Sequence, residues 1–399
     1  MNEIYYMVLL LMLLTGFLSM LICELCQRSS PLHYMVFKAK RKCLSGDKKH
    51  FMRTVLWRYA ALMLPWLLMN IIIQQHYYFL DTAFVFTRFA FANIAWLVAF
   101  LGVPYITVTL YLRGDAKYEF NDYAVLTLLL CRALMFRLMG KSSDQSLHVL
   151  RNRRSKKLFL SWLVTLFFLT LMFRFLNVEL GGFRDALAVI REDSFSHLSF
   201  FQQYHAVYLF FFHFIFVIDV GIAVVAYAVA NRWLDNRVRS VDPTLKGWVF
   251  ALICYPPLNS GFTGQFFGYD RFPTQQVVSS EWVLMILMAL ILTCFFIYVW
   301  STVSLGFKFS NLCHRGLVTS GPYKYLRHPA YTTKNIAWWL DYTYVFSNGW
   351  AFLAMVVASL IYIMRGVTEE KHLSHDPAYL AYCNKVQGRF WPDMAKNKN

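Results

Sequence analysis

Two polar clusters, separated by apolar runs, hold the side chains of this chain that are equipped for chemistry. The first lies within residues 314 to 331 and includes Arg315, Gly316, Leu317, Val318, Tyr323, Arg327, His328, Pro329, Ala330 and Tyr331. The second opens at Arg365 and continues through Glu369 and Glu370. Arginine presents a planar fork suited to carboxylate or phosphate. Carboxylates accept from cations and hydroxyls, and tyrosines stack or donate. Ser320-Gly321-Pro322 reads as a turn, because glycine supplies unusual backbone angles and proline fixes φ. Pro329 suits the first position of a helix, where its missing N–H costs nothing. A helix starting there turns free N–H groups and a positive dipole end back toward the loop, an arrangement that suits an anion. Arg365 and Glu369 are four residues apart, so one helix face carries both; a plain ion pair between them is the alternative reading.

For the clusters to act together, the chain between them must return to the side it left. Two short apolar helices, 335–346 and 349–364, form such a hairpin and bring Arg365 and Glu369 close to His328.

Three blocks carry a resemblance: Gly316-Leu317-Val318-Thr319-Ser320-Gly321-Pro322-Tyr323, Arg327-His328-Pro329-Ala330-Tyr331, and Glu369-Glu370-Lys371-His372-Leu373 followed by Tyr379 and Tyr382. In order and spacing they resemble the isoprenylcysteine carboxyl methyltransferase and phospholipid methyltransferase superfamily, membrane enzymes that use S-adenosylmethionine. The resemblance covers the last hundred or so residues. It implies that Arg315, Gly316, Leu317, Val318, Tyr323, His328, Pro329, Ala330, Tyr331 and Glu369 contact the cofactor and that Arg365 faces the methyl acceptor. Methyl transfer from a sulfonium needs donor and acceptor held in line and water excluded. It needs no metal and no protein nucleophile. A carboxylate acceptor is already ionised at neutral pH; an amine acceptor must lose a proton, for which His328 and Glu370 are the candidate bases. The acceptor is expected to be lipophilic: a prenylcysteine carboxylate, a lipid carboxylate or a lipid amine.

Two positions depart from the family pattern. Thr333 stands where glycine is common and would narrow the cofactor pocket. Asp376-Pro377-Ala378-Tyr379 replaces the usual Phe-Gly before the tyrosines. A sterol-reductase-like enzyme using a nicotinamide cofactor is the second reading, but its members tend to carry Arg-Asp where Glu369-Glu370 stands. A non-enzymatic transporter built on the N-terminal helices is the third.

Of 399 residues, 58% are hydrophobic and only 15% charged, and the mean hydropathy is +0.42. Several apolar runs reach the ~18–20 residues that span a bilayer. A β-barrel would instead show alternating segments of about ten residues. The chain therefore reads as an all-α, polytopic transmembrane bundle. Runs at 4–25, 55–73, 89–112, 158–176, 203–230, 247–262 (broken by Pro256-Pro257) and 282–305, with the hairpin, give about nine crossings. Segment 123–139 carries Arg132 and Arg137 and is flanked by basic residues on both sides, so it reads as an interfacial helix. An outer loop joins 158–176 to 203–230. The break between regions falls near 245: residues 1–245 hold no recognised motif, and 246–399 form the methyltransferase module.

The net charge of +17 raises nucleic-acid binding. The charges argue against it, because they sit in loops beside apolar runs, where lysine and arginine mark the cytoplasmic side and meet anionic headgroups. The basic loop holding Lys38, Lys40, Arg41 and Lys42 fixes that side. Both clusters then land on the cytoplasmic face of a bacterial inner membrane or endoplasmic reticulum. Eight scattered cysteines, with one CxxC at Cys23 and Cys26, define neither a zinc site nor a disulfide framework. His205, His213 and Asp219 fall within one span, where hydrogen bonding inside the bundle competes with a substrate cavity. Arg58, Arg88 and Arg174 lie near span ends and read as snorkelling.

Overall fold

The structure, a computed structural model, describes residues 48–113, 123–140, 152–230, 234–260 and 278–392, with isolated helical positions between 7 and 26. The expected span at 4–25 therefore lies outside the described residues apart from those positions. Ten α-helices carry most of the rest: α1 Lys48–Gln75, α2 Val85–Arg113, α3 Tyr123–Leu138, α4 Arg153–Arg191, α5 Phe200–Ala228, α6 Leu245–Leu252, α7 Glu281–Leu305, α8 Pro329–Asp341, α9 Gly349–Leu373 and α10 Pro377–Lys385. Apolar sequence in lipid has only its own backbone to hydrogen-bond, which forces helix. Prolines inside α1 (Pro65) and α2 (Pro104) are tolerated for the same reason. Many large apolar side chains, among them Trp96, Phe100, Trp282 and Ile286, remain on the outer surface. In water they would be a liability; against acyl chains they are the expected lining.

Six helices among the described residues are long and apolar enough to cross a membrane: α1, α2, α4, α5, α7 and α9. The chain is an integral membrane protein. The expected crossing at 247–262 is corrected, since α6 has eight residues, about 12 Å of helix. The first arm of the hairpin, α8, is also short at 13 residues. The outer loop expected after residue 176 is likewise replaced by helix, because α4 runs unbroken for 39 residues to Arg191. Its polar end carries an exposed Arg184–Asp185 pair at 2.8 Å.

The chain forms two compact units. Residues 1–174 and 230–241 make one; residues 175–229 and 242–399 make the other. In the first, Val55, Ile106 and Leu110 form a small core between α1 and α2, and the Tyr59 hydroxyl donates to the Ala99 carbonyl at 2.8 Å. Phe86 and Phe91 meet Phe173 edge-on, so α2 packs against α4.

The second unit differs from the break read near 245 because it takes in α5. Along α5, Tyr208 and Ile215 join Met288, Ile291 and Phe295 of α7 in one core. The Tyr204 hydroxyl donates to the Met285 carbonyl at 3.0 Å. The ionisable groups of α5 take part in this packing. His213, 2% exposed, meets Glu179 of α4 through Nδ1 at 2.8 Å. Asp219 accepts from the Tyr298 hydroxyl at 3.1 Å. His205 stacks with Phe201 and Tyr208.

Gly182 makes the first of these contacts possible, since a Cβ there would fall on the His213 ring. Gly182→Ala should therefore destabilise the protein by about 1–3 kcal/mol, the usual cost of overpacking. Thermal unfolding in detergent will show this as a lowered midpoint.

Candidate functional site

The loop that follows α7 is fixed before it reaches the site. The Asn311 backbone N–H donates to the Tyr227 hydroxyl at 2.7 Å, and the Leu312 carbonyl accepts from the Asp242 N–H at 2.8 Å. Arg315 is 2% exposed; it donates to the Ala226 carbonyl and lies over the Tyr227 ring. Burial lowers its pKa from the ordinary value. The turn at Ser320-Gly321-Pro322 forms as expected. Gly321 has φ of 61°, and a Cβ there would collide with the Ser304 hydroxyl. The Tyr382 hydroxyl donates to the Tyr323 carbonyl at 2.6 Å, and burial pushes that phenol up to about 12.

Helix α8 begins at Pro329, with His328 at its N-cap. His328 does not cap with its side chain. Its backbone N–H donates to the Arg389 carbonyl at 3.0 Å, and its ring lies between Tyr331 and Phe390, with centroids 5.3 and 5.2 Å away. Its Nε2 meets Glu370 Oε1 at 3.1 Å. The other oxygen of Glu370 receives Arg327 at 3.3 Å and Arg389 at 2.7 Å. One carboxylate thus gathers three cationic or cation-capable groups from the loop and from the chain beyond α10.

Glu369 and Glu370 are successive residues of α9, so they project about 100° apart around the helix axis. Glu369 turns toward α8 and accepts from the Tyr331 hydroxyl at 2.7 Å. Burial drives the Tyr331 phenol well above its ordinary value, keeping it a donor. Arg365, one turn earlier, donates to the Asn311 side-chain oxygen. The guanidinium carbon lies 5.5, 5.2 and 5.8 Å from the rings of Tyr255, Tyr331 and Tyr362. It is 6% exposed, yet among the described residues it has no ion-pair partner. A buried cation of this kind is costly unless a ligand completes it.

Arg365, Tyr331 and Glu369 share a small cavity of about 30 Å³ that opens outward. Asp242, Ser310, Asn311, Cys313, Thr368 and His372 add polar groups to its wall, and Gly247, Ala251, Leu312 and Leu373 complete it. Of the residues expected at the site, these three line the space. His328 and Glu370 stand behind it, paired with each other. Arg315 is buried against Ala226 and Tyr227. Pro329 and Ala330 open α8, and Gly316, Leu317, Val318 and Tyr323 lie along the loop that leads to it; none of these lines the cavity. Thr333 does not narrow the space, because its hydroxyl donates back to the Pro329 carbonyl at 3.0 Å. Asp376 caps α10 by accepting from the Ala378 N–H at 2.9 Å. Asp242, Asn311 and Tyr255 escaped the sequence reading. Each is a single polar residue outside any motif; the fold brings Asp242 and Asn311 to the cavity wall and Tyr255 against the Arg365 guanidinium.

Residues 282–376 match the family described as Phospholipid methyltransferase. The match begins with α7 and ends at Asp376, so it takes in α8, α9 and both polar clusters. It agrees with the superfamily that the three sequence blocks resemble. No curated protein and no solved structure matches the chain.

Glu370→Ala should strip Arg327, His328 and Arg389 of their common partner and cost on the order of 3 kcal/mol. Glu369→Ala removes a single hydrogen bond, from the Tyr331 hydroxyl to its carboxylate, and should cost about 1.5 kcal/mol. Unfolding midpoints of the two variants, measured side by side, will test that order.

Proposed function

We propose that this chain, whose C-terminal region belongs to the phospholipid methyltransferase superfamily, transfers a methyl group from S-adenosylmethionine to a lipophilic acceptor with an anionic head. One observation carries the reading. Arg365, buried among three tyrosines and lacking an ion-pair partner among the described residues, shares a polar cavity with Glu369. The cavity sits where apolar helices α7 and α9 give way to polar loops.

The donor set fits the cofactor in kind. Glu369 offers a carboxylate to a positive or hydroxyl-bearing group, and Tyr331, Thr368 and Ser310 offer hydroxyls. When bound, S-adenosylmethionine supplies an electrophilic methyl group on a positive sulfur. The chain contributes position and dryness. Tyr331 and Asn311 fix Glu369 and Arg365 in place, so neither must reorganise as charge shifts. The Arg365 guanidinium binds the acceptor's carboxylate or phosphate while its apolar tail remains among the helices.

The two candidate bases support a choice of acceptor. His328 and Glu370 are bonded to each other and stand off the cavity wall. That favours an acceptor already ionised, a carboxylate, over an amine that must first lose a proton. With the clusters on the cytoplasmic face, as the basic loops indicate, the cofactor enters from the cytosol and the acceptor from the bilayer.

Calorimetry in detergent and in lipid nanodiscs should show S-adenosylmethionine binding by the wild-type protein. Arg365→Ala should lower kcat/KM for methyl transfer by about 10- to 100-fold, the scale of a lost charge-assisted hydrogen bond. Arg365→Lys should restore little, because an ammonium lacks the fork. Labelled methyl recovered as volatile methanol after mild alkali identifies a carboxyl ester. Alkali-stable label identifies an amine acceptor and overturns the carboxylate choice. Absence of cofactor binding in both media overturns the reading as a whole.

A further inference from the structure

Asp242 lies on the cavity wall, outside the residues that match the family, and its carboxylate is only half used. The residue is 3% exposed. Its backbone is fixed by the N–H bond to the Leu312 carbonyl at 2.8 Å. Oδ1 accepts from the Thr244 N–H at 2.8 Å and from the Thr244 hydroxyl at 2.7 Å. This is a turn that leads into α6, whose N-cap is Thr244. Oδ2 receives no hydrogen bond from the described residues, and no cation pairs with Asp242 among them. Gly247 leaves the carboxylate its room, since a Cβ at that position would overlap Oδ2.

The turn alone does not account for an aspartate. It needs one acceptor oxygen, which asparagine or serine supplies equally well. A carboxylate oxygen that opens onto the cavity and takes no hydrogen bond from the described residues is an acceptor left for a ligand. In the same cavity, Arg365 is a buried cation without an ion-pair partner. Two charges of opposite sign without ion-pair partners thus line one small cavity: the guanidinium calls for an anion, and the carboxylate calls for a donor of N–H or O–H.

We propose that Asp242 is a ligand-binding residue of this site, its Oδ2 accepting from the methyl donor's ammonium or from its ribose hydroxyls. The inference rests on the methyltransferase reading and extends it to a side chain contributed from before the family-matched region. Asp242 and Glu369 then share the hydroxyl- and cation-bearing parts of the cofactor, and Arg365 is left for the acceptor.

The test is calorimetric titration of the full-length protein in detergent with S-adenosylhomocysteine and with 5′-methylthioadenosine, which keeps the ribose and lacks the amino-acid end. Asp242→Asn preserves the Oδ1 turn and should weaken S-adenosylhomocysteine by about tenfold or more without lowering the unfolding midpoint. An equal loss on 5′-methylthioadenosine assigns Oδ2 to the ribose; a loss confined to S-adenosylhomocysteine assigns it to the ammonium. Should Asp242→Asn fail to fold, Asp242→Ser keeps an acceptor for the turn and is expected to give the same loss. Wild-type affinity in Asp242→Asn and in Asp242→Ser overturns the proposal while leaving the methyltransferase reading intact. If the wild-type protein binds neither nucleoside, that reading fails and this inference with it.

Discussion

Glu370 sits near the end of α9, where the last long apolar helix gives way to polar sequence, and Arg327, His328 and Arg389 converge on its two oxygens. Those three groups come from the loop before α8 and from the chain after α10. The same stretches are joined by backbone bonds, Arg327 N–H to the Gly388 carbonyl and His328 N–H to the Arg389 carbonyl. The Thr332 hydroxyl adds a bond to the Phe390 carbonyl. Moving any one of these segments means separating a buried, multiply paired carboxylate from its cations, which is among the more costly local changes available to a protein. The start of α8, the end of α9 and residues 387–390 therefore behave as one body. Tyr331 and Glu369 inherit their positions from it.

Against that saturated carboxylate stands a guanidinium treated in the opposite way. Arg365 lies one turn before Glu369, surrounded by aromatic faces and one amide oxygen. Tyrosine rings stabilise a cation but do not neutralise it. In a medium less polarisable than water the remaining field reaches into the cavity. The difference between neighbours on one helix is what separates a structural tie from a binding group. Glu370 has partners supplied by the fold, whereas Arg365 waits for one. The same reasoning sets Asp242 beside Arg365, since its second oxygen also lacks a partner among the described residues.

Much of this was legible from residue types. Pro329 opens α8 as its missing N–H requires, and Gly321 takes the positive φ of the turn. The four-residue spacing of Arg365 and Glu369 places both on the face of α9 that lines the cavity. The long apolar runs became helices because lipid leaves the backbone no other partner. Less legible were the places where charge did not end a helix. Arg184, Asp185 and Glu179 looked like loop residues, yet α4 continues through them, and Glu179 meets His213 of α5 inside the bundle. The interior His213–Glu179 hydrogen bond joins two helices and has no local signature at all.

The sequence by itself determined an all-helical membrane chain, two polar clusters at the ends of apolar helices, and the chemistry those clusters offer. Each of these depends on residue type and short-range spacing. Only the tertiary structure decided which of the motif residues face the cavity. It buried Arg315 against Ala226, locked His328 to Glu370, and left Arg365, Glu369 and Tyr331 on the wall. It also brought in Asp242, Asn311 and Tyr255 from segments with no motif. Such placements are settled by contacts between residues far apart in the chain, and no spacing rule within one segment records which distant carbonyl, ring or carboxylate a side chain will meet.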